Sequence, residues 1–182
     1  MDKAKLLQEL KEKAENDSNL PLKETAHNLV FGEGNPEAKI YFLGEAPGRI
    51  EDLTGRPFVG PAGKLLDKLL ESINLKREDV FITSVLYFRP PDNRNPTPSE
   101  IAAFAPYTDQ QIEIINPKII VTLGKFSLNK FLPKAKISEV HGQILKINWQ
   151  GKERILIPQY HPAAGLRSSE VLEKLKSDLK AI

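Results

Sequence analysis

Ile40-Tyr41-Phe42-Leu43-Gly44-Glu45-Ala46-Pro47-Gly48 is the stretch from which the rest of the chain can be read. Four apolar residues run straight into a carboxylate flanked by glycines. Glu51, Asp52 and Gly55-Arg56-Pro57-Phe58-Val59-Gly60-Pro61-Ala62-Gly63 follow. The spacing predicts a strand, a glycine-punctuated loop and a helix opening near Pro61. Open α/β sheets bind ligands outside the carboxyl ends of their strands. Glycines let backbone N–H groups approach a ligand, and a helix N-terminus offers unpaired donors. Phe58, between Pro57 and Gly60, has no apolar partner at helical spacing and reads as a surface on which something stacks.

Outward from that loop, strands alternate with helices. Upstream, Leu6, Leu7, Leu10 and Ala14 recur at helical spacing, predicting a helix over residues 2–15. Residues 20–37 read as an irregular connection, and His27 within it as structural or solvated. Downstream, Leu65, Leu66, Leu69, Leu70 and Ile73 predict an amphipathic helix closed by Asn74 in a left-handed conformation. Residues 80–86 form an almost unbroken β-type run, the pattern of a buried parallel strand. Arg89-Pro90-Pro91-Asp92-Asn93-Arg94-Asn95-Pro96-Thr97-Pro98 follows, and its four prolines argue against regular structure. A helix is expected from Pro98, a third buried strand over 119–123, and a short helix from Gly124-Lys125. A hairpin is expected over 143–148 and 153–157, then Tyr160-His161-Pro162 and a last helix carrying Val171, Leu172, Leu175 and Leu179. This order predicts a single domain over 1–182, an α/β fold of three layers (α/β/α sandwich) with a mainly parallel central sheet.

Composition narrows the function. The chain has no cysteine, which excludes disulfides and thiolate metal sites. Its 26 basic and 24 acidic residues leave no global electrostatic footprint for nucleic acid, so a basic face has to be local. Apolar runs are too short to span a bilayer, and no apolar signal core follows Met1. A soluble, cytoplasmic, monomeric protein without a membrane partner is expected. Abundant Lys, Glu and Pro with a single Met lean toward a thermophilic source.

The candidate chemistry sits on strand-end loops: Glu45, Glu51 and Asp52, Phe58, Ser84, Arg89 to Arg94, and His161. No metal-ligand spacing, phosphate loop or nucleophile elbow is present. Taken alone, Glu51 reads as a solvated charge, and His161 equally as a packed strand-end residue or a catalytic one. Together they suit hydrolysis of a bond to a planar leaving group. A carboxylate positions water, a histidine donates to developing negative charge, and an aromatic stacks on the ring.

These segments, in this order, resemble the family-four uracil-DNA glycosylases, the thermostable bacterial and archaeal type, over nearly the whole chain. The matching stretches are residues 28–36, Gly44-Glu45-Ala46-Pro47-Gly48 with Glu51-Asp52, residues 55–60, the proline-rich loop, and His161-Pro162-Ala163-Ala164 with Leu166-Arg167. The resemblance implies excision of uracil from DNA through base flipping. It implies that Glu45 and Glu51 organise water with help from Asn93, and that His161 contacts uracil O2. It places Ala46, Phe58 and Ser84 at the base, and Arg89, Arg94, Lys125, Leu166 and Arg167 on DNA, with Leu166 on an inserting loop. DNA carrying uracil or another deaminated base is the expected partner.

Two departures stand out. Members of that family ligate an iron–sulfur cluster through four cysteines; the aligned positions here are Asp17, Leu20, Phe88 and Phe104. No cofactor and no metal are therefore expected. The family asparagine that reads the uracil edge is replaced by Ser84, which can make fewer hydrogen bonds. That opens two alternatives: a glycosylase for another deaminated base such as hypoxanthine, or a weakly catalytic binder of damaged or single-stranded DNA.

Overall fold

The computed structural model describes residues 1–182. Its centre is a six-stranded sheet built from β1 (Glu33–Gly34), β2 (Ile40–Gly44), β3 (Phe81–Ser84), β4 (Ile119–Leu123), β5 (Leu145–Trp149) and β6 (Lys152–Gln159). The order across the sheet is β1-β3-β2-β4-β6-β5. The inner four strands are parallel, and β1 and β5 close the edges antiparallel.

Successive side chains on a strand point to opposite faces. Tyr41 and Leu43 enter one apolar cluster with Leu7, Leu10, Phe104, Ile112 and Leu128. These come from α1 (Lys3–Asn16), α4 (Pro98–Ile115) and α5 (Lys125–Phe131). Phe42, Ile82, Val121 and Leu123 enter another with Leu66 and Leu70 of α3 (Pro61–Ser72). The three-layer sandwich expected from the alternation is present. Short helices α2 (Arg49–Thr54), α6 (Ile137–Val140) and α7 (Pro162–Arg167), and the C-terminal α8 (Ser169–Asp178), complete it.

The starts and stops have local causes. Thr97 and Glu100 form a reciprocal cap: Thr97 Oγ1 accepts from Glu100 N–H at 3.2 Å, and Glu100 Oε2 accepts from Thr97 N–H at 2.9 Å. Asn74 adopts the left-handed conformation expected after α3, with φ 59°.

Several expectations are corrected. The loop after β2 contains α2, whose six residues are too few for a periodicity to show. The β-run at 80–86 is in the ladder only over Phe81–Ser84; Val85 and Leu86 N–H groups instead bond the Gly44 and Glu45 carbonyls. The hairpin turn is Gln150-Gly151 alone, both at positive φ, the geometry that matches strand twist. The connection over 20–37 contains β1, and the proline-rich loop holds one 3-10 turn, Pro91–Asn93. The segment after His161 is the helix α7, not a loop, so Leu166 and Arg167 are presented on a rigid turn. The last helix ends at Asp178, and Leu179 falls in a 3-10 turn.

Candidate active site

A cavity of about 560 Å³ opens over the carboxyl ends of the parallel strands. Glu45, Ala46, Glu51, Phe58, Ser84, Asn93 and His161 all line it. Its lining continues to exposed Arg49, Ile50, Leu166 and Arg167. Most of the residues read as chemistry in the sequence thus meet in one place, brought there by β2, β3, β6 and the segments that follow them.

Glu45 stands one residue beyond β2 and is half-buried. Burial pushes its carboxyl up from the ordinary range, and the charges of Lys125 and Arg167 oppose the shift. Glu51 is carried by α2, and its Oε1 accepts the Gly60 N–H at 3.1 Å. The first carboxylate is therefore pushed toward accepting a proton, and the second is anchored to the loop that bears Phe58.

Phe58 is 7 % exposed and has φ 49°. That left-handed conformation costs a non-glycine residue about 1–2 kcal/mol, so the surroundings must impose it. Its ring lies against Gly44, where a Cβ would meet the ring at 2.5 Å. Its carbonyl lies against Gly63, where a Cβ would meet the oxygen at 1.9 Å. The ring stacks on His161 with centroids 5.7 Å apart. Ser84 ends β3 opposite Gly44, and its Oγ would lie 3.2 Å from a Cβ at Gly44. Phe58 and Ser84 thus share the cavity floor.

His161 caps α7: its Nδ1 accepts the Ala163 N–H at 3.0 Å. The ring proton of the neutral form is then on Nε2. Burial, reinforced by Arg167, lowers the imidazole to about pKa 4. At neutral pH His161 is an uncharged donor.

Of the remaining candidates, Asn93, Arg94 and Leu166 also line the cavity, and Arg89, Lys125 and Asp52 do not. Asn93 has φ 55°, and its Oδ1 accepts from Arg89 Nε at 2.7 Å. Arg94 donates to both carboxylate oxygens of Glu100, at 2.6 and 3.0 Å, so its charge is already matched. Lys125 opens α5 with its ammonium 5.0 Å from the Phe126 ring, and it does not line the cavity. Leu166 is 53 % exposed at the cavity mouth. Asp52 is corrected: it is 2 % exposed and turned away, accepting from the His27 and Asn28 N–H groups and paired with His27 Nδ1 at 2.7 Å. Burial would raise its carboxyl, but these bonds outweigh burial and hold it low. Asp52 and His27 are one structural clamp.

The sequence reading missed Arg49, Ile50 and Asn95, which also line the cavity. The only signal was the apolar Ile50 set in a charged stretch.

The positions aligned with cluster ligands do not fit an iron–sulfur group. Leu20, Phe88 and Phe104 are buried in one apolar cluster, with the Phe88 and Phe104 rings 6.0 Å apart. Asp17 accepts from the Tyr107 hydroxyl at 2.6 Å. No group of three or more His, Cys, Asp or Glu side chains is arranged to hold a metal ion.

The fold and this pocket define a hydrolase-like site on a parallel sheet, and comparison with known proteins makes it specific. The model of the uracil DNA glycosylase superfamily matches residues 31–180. The chain belongs to that superfamily. It is 49 % identical over 166 residues to the type-4 uracil-DNA glycosylase of Archaeoglobus fulgidus, covering 88 % of this chain and 83 % of that protein. It is 45 % identical to the type-4 enzyme of Thermotoga maritima, over 88 % of each chain. It is also 34 % identical to a DNA polymerase of Bacillus phage SP01, covering 88 % of this chain but 17 % of that protein.

Proposed function

We propose that this chain, acting as one domain and in the manner of the type-4 enzymes, excises uracil from DNA by hydrolysing the N-glycosidic bond and leaves an abasic site. The observation that carries this reading is the convergence of Glu45, Phe58 and His161 in one cavity of about 560 Å³. That volume accepts a flipped base.

The chemistry follows from the geometry. The base enters over the Phe58 ring. As the bond to C1′ breaks, negative charge gathers on the departing base and positive charge on the sugar. His161, neutral with its proton on Nε2, donates a hydrogen bond to the base anion without first having to lose a proton. Glu45 takes the proton of the attacking water and stabilises the sugar cation. Glu51, held by Gly60, fixes the loop and helps to seat the water, with Asn93 at the rim. Leu166 fills the space vacated in the duplex, and Arg167 meets phosphate. No step runs through a cluster, and the protein is read as folding and working without one. Ser84 favours a second reading within the same chemistry: a broader choice that includes another deaminated base.

The test is single-turnover excision on a uracil-containing oligonucleotide. Glu45→Gln is expected to lower the rate by about 10²–10⁴-fold, the usual worth of a positioned base. On the acid side, the wild-type rate should fall at a pH above the ordinary carboxylate range, because the Glu45 carboxyl is raised and only its ionised form accepts the proton. Burying that charge costs stability, so Glu45→Gln should also raise the melting midpoint at neutral pH. A fully active Glu45→Gln would overturn the assignment.

A further inference from the structure

We infer that Arg77, which lines no part of the cavity, is a positioning residue for the aromatic platform of the site. The proposal rests on the reading of Phe58 as the surface under the base. Arg77 sits in a 3-10 turn, Arg77–Asp79, that leads directly into β3 and so to Ser84. Its guanidinium makes four contacts to three segments. Nη1 donates to the Phe58 carbonyl at 2.9 Å and to Asp67 Oδ1 at 3.0 Å. Nη2 donates to the Pro57 carbonyl at 2.6 Å and to Glu33 Oε1 at 3.0 Å.

Two of these acceptors are consecutive main-chain carbonyls, and that is the informative feature. In an extended chain, neighbouring carbonyls point to opposite sides. A residue of helical sense between them, here Phe58 at φ 49°, turns both to one side. A planar fork of donors can then hold both at once. The contact therefore depends on the turn that Phe58 makes here in the left-handed state, and it stabilises that state against its intrinsic strain.

The other partners fix the fork itself. Asp67 lies one turn beyond Gly63 on α3, so the same helix supplies the notch for the Phe58 carbonyl and the carboxylate for Arg77. Glu33, on edge strand β1, also receives Arg56 Nε and Nη2, at 3.0 and 2.8 Å. An arginine needed only for charge pairing would be satisfied by Asp67 and Glu33. The additional carbonyl bonds set where the ring lies relative to Ser84 and His161.

The experiment compares Arg77→Met, Arg77→Lys, Phe58→Ala and the Arg77→Met/Phe58→Ala double variant in single-turnover excision, with binding to abasic-site DNA measured separately. Arg77→Met should lower the rate about tenfold to a hundredfold, the scale of a misplaced reacting group. DNA binding should stay near wild type, and Arg77→Lys should recover part of the rate. In the Phe58→Ala background, Arg77→Met should cost no further factor. A second readout is independent of activity. The His161 ring protons, distinguishable among three histidines, feel the ring current of Phe58. In Arg77→Met, and more weakly in Arg77→Lys, their NMR signals should move toward the Phe58→Ala position. If Phe58→Ala keeps the full rate while those signals still move, the platform reading falls and the positioning of Phe58 by Arg77 stands. Unmoved His161 signals, or a full additive loss in the double variant, overturn the proposal. Should Arg77→Met fail to fold, Arg77→Lys and Asp67→Asn carry the same comparison in graded form.

Discussion

We propose that substrate choice turns on Ser84. It ends β3, is 5 % exposed, and shares the cavity floor with Phe58. A hydroxyl offers one donor where an amide offers two. A polar group on the base left unpaired there costs about 1–3 kcal/mol, which would be felt in rate or selectivity and not in folding. Ser84→Asn, assayed on uracil and hypoxanthine in parallel, is expected to gain on uracil relative to hypoxanthine. An unchanged ratio in a folded variant would move recognition to Asn93 and to the backbone around Gly60. Neighbouring residues also show how little sequence adjacency says about role. Glu51 and Asp52 are consecutive, yet one enters the cavity and the other binds His27. Side chains on a helix diverge by about 100° per residue, and on α2 that step turns Glu51 to the Gly60 N–H and Asp52 to His27.

At the scale of elements, we propose that the contact between α4, the proline-rich loop and the segment after α1 takes the place that a metal cluster would hold. Phe88 precedes the loop and Phe104 lies on α4; both are buried in the same apolar cluster as Leu20. Phe88 is 4 % exposed, so Phe88→Ala should destabilise the protein by about 3 kcal/mol or more, read from a denaturant midpoint at constant m. Elemental analysis of the purified protein should find no stoichiometric iron. Near-wild-type stability of Phe88→Ala would show that this contact does not hold the elements together. The proline-rich loop is tied on its other side by Arg94 and Glu100, and Glu100 also caps α4. Loop and helix start are thus one unit, which a count of prolines does not reveal.

The whole molecule carries a formal net charge of only +2, so attraction to DNA must come from the arrangement of charge. Arg49 and Arg167 are exposed at the cavity mouth and enter none of the chain's ion pairs. Arg94 is already neutralised by Glu100. Each phosphate contact releases counterions and adds about −0.9 to the slope of log K against log salt. Binding to an abasic-site duplex should weaken steeply with salt. Arg167→Gln should reduce the slope by about one contact's worth, and Arg94→Gln by much less. Equal slopes for the two variants would show that Arg94 reaches the backbone despite its partner.

The sequence by itself determined the order of the longer strands and helices, the parallel core of the sheet, and the strand ends and loops on which Glu45, Phe58, Ser84 and His161 stand. These are legible because they are local: an apolar run marks a buried strand, helical spacing marks an amphipathic helix, and in a parallel sheet the loops at the carboxyl ends of the strands share one side. It also determined the absence of thiolate ligands, since no cysteine is present. Only the tertiary structure decided that Asp52 serves His27, that Arg94 serves Glu100, that Leu166 rides a helix, and that Phe58 is held left-handed. Most of these depend on a partner distant in sequence or on a very short helix, and the Arg94–Glu100 pair on how an irregular loop folds back onto a helix start. His27 and Asp52 are 25 positions apart, and Arg77 reaches Phe58 across 19. Periodicity reports which face of an element is buried. It carries no information about which polar group meets which, because that pairing is set by how the packed elements bring their ends together.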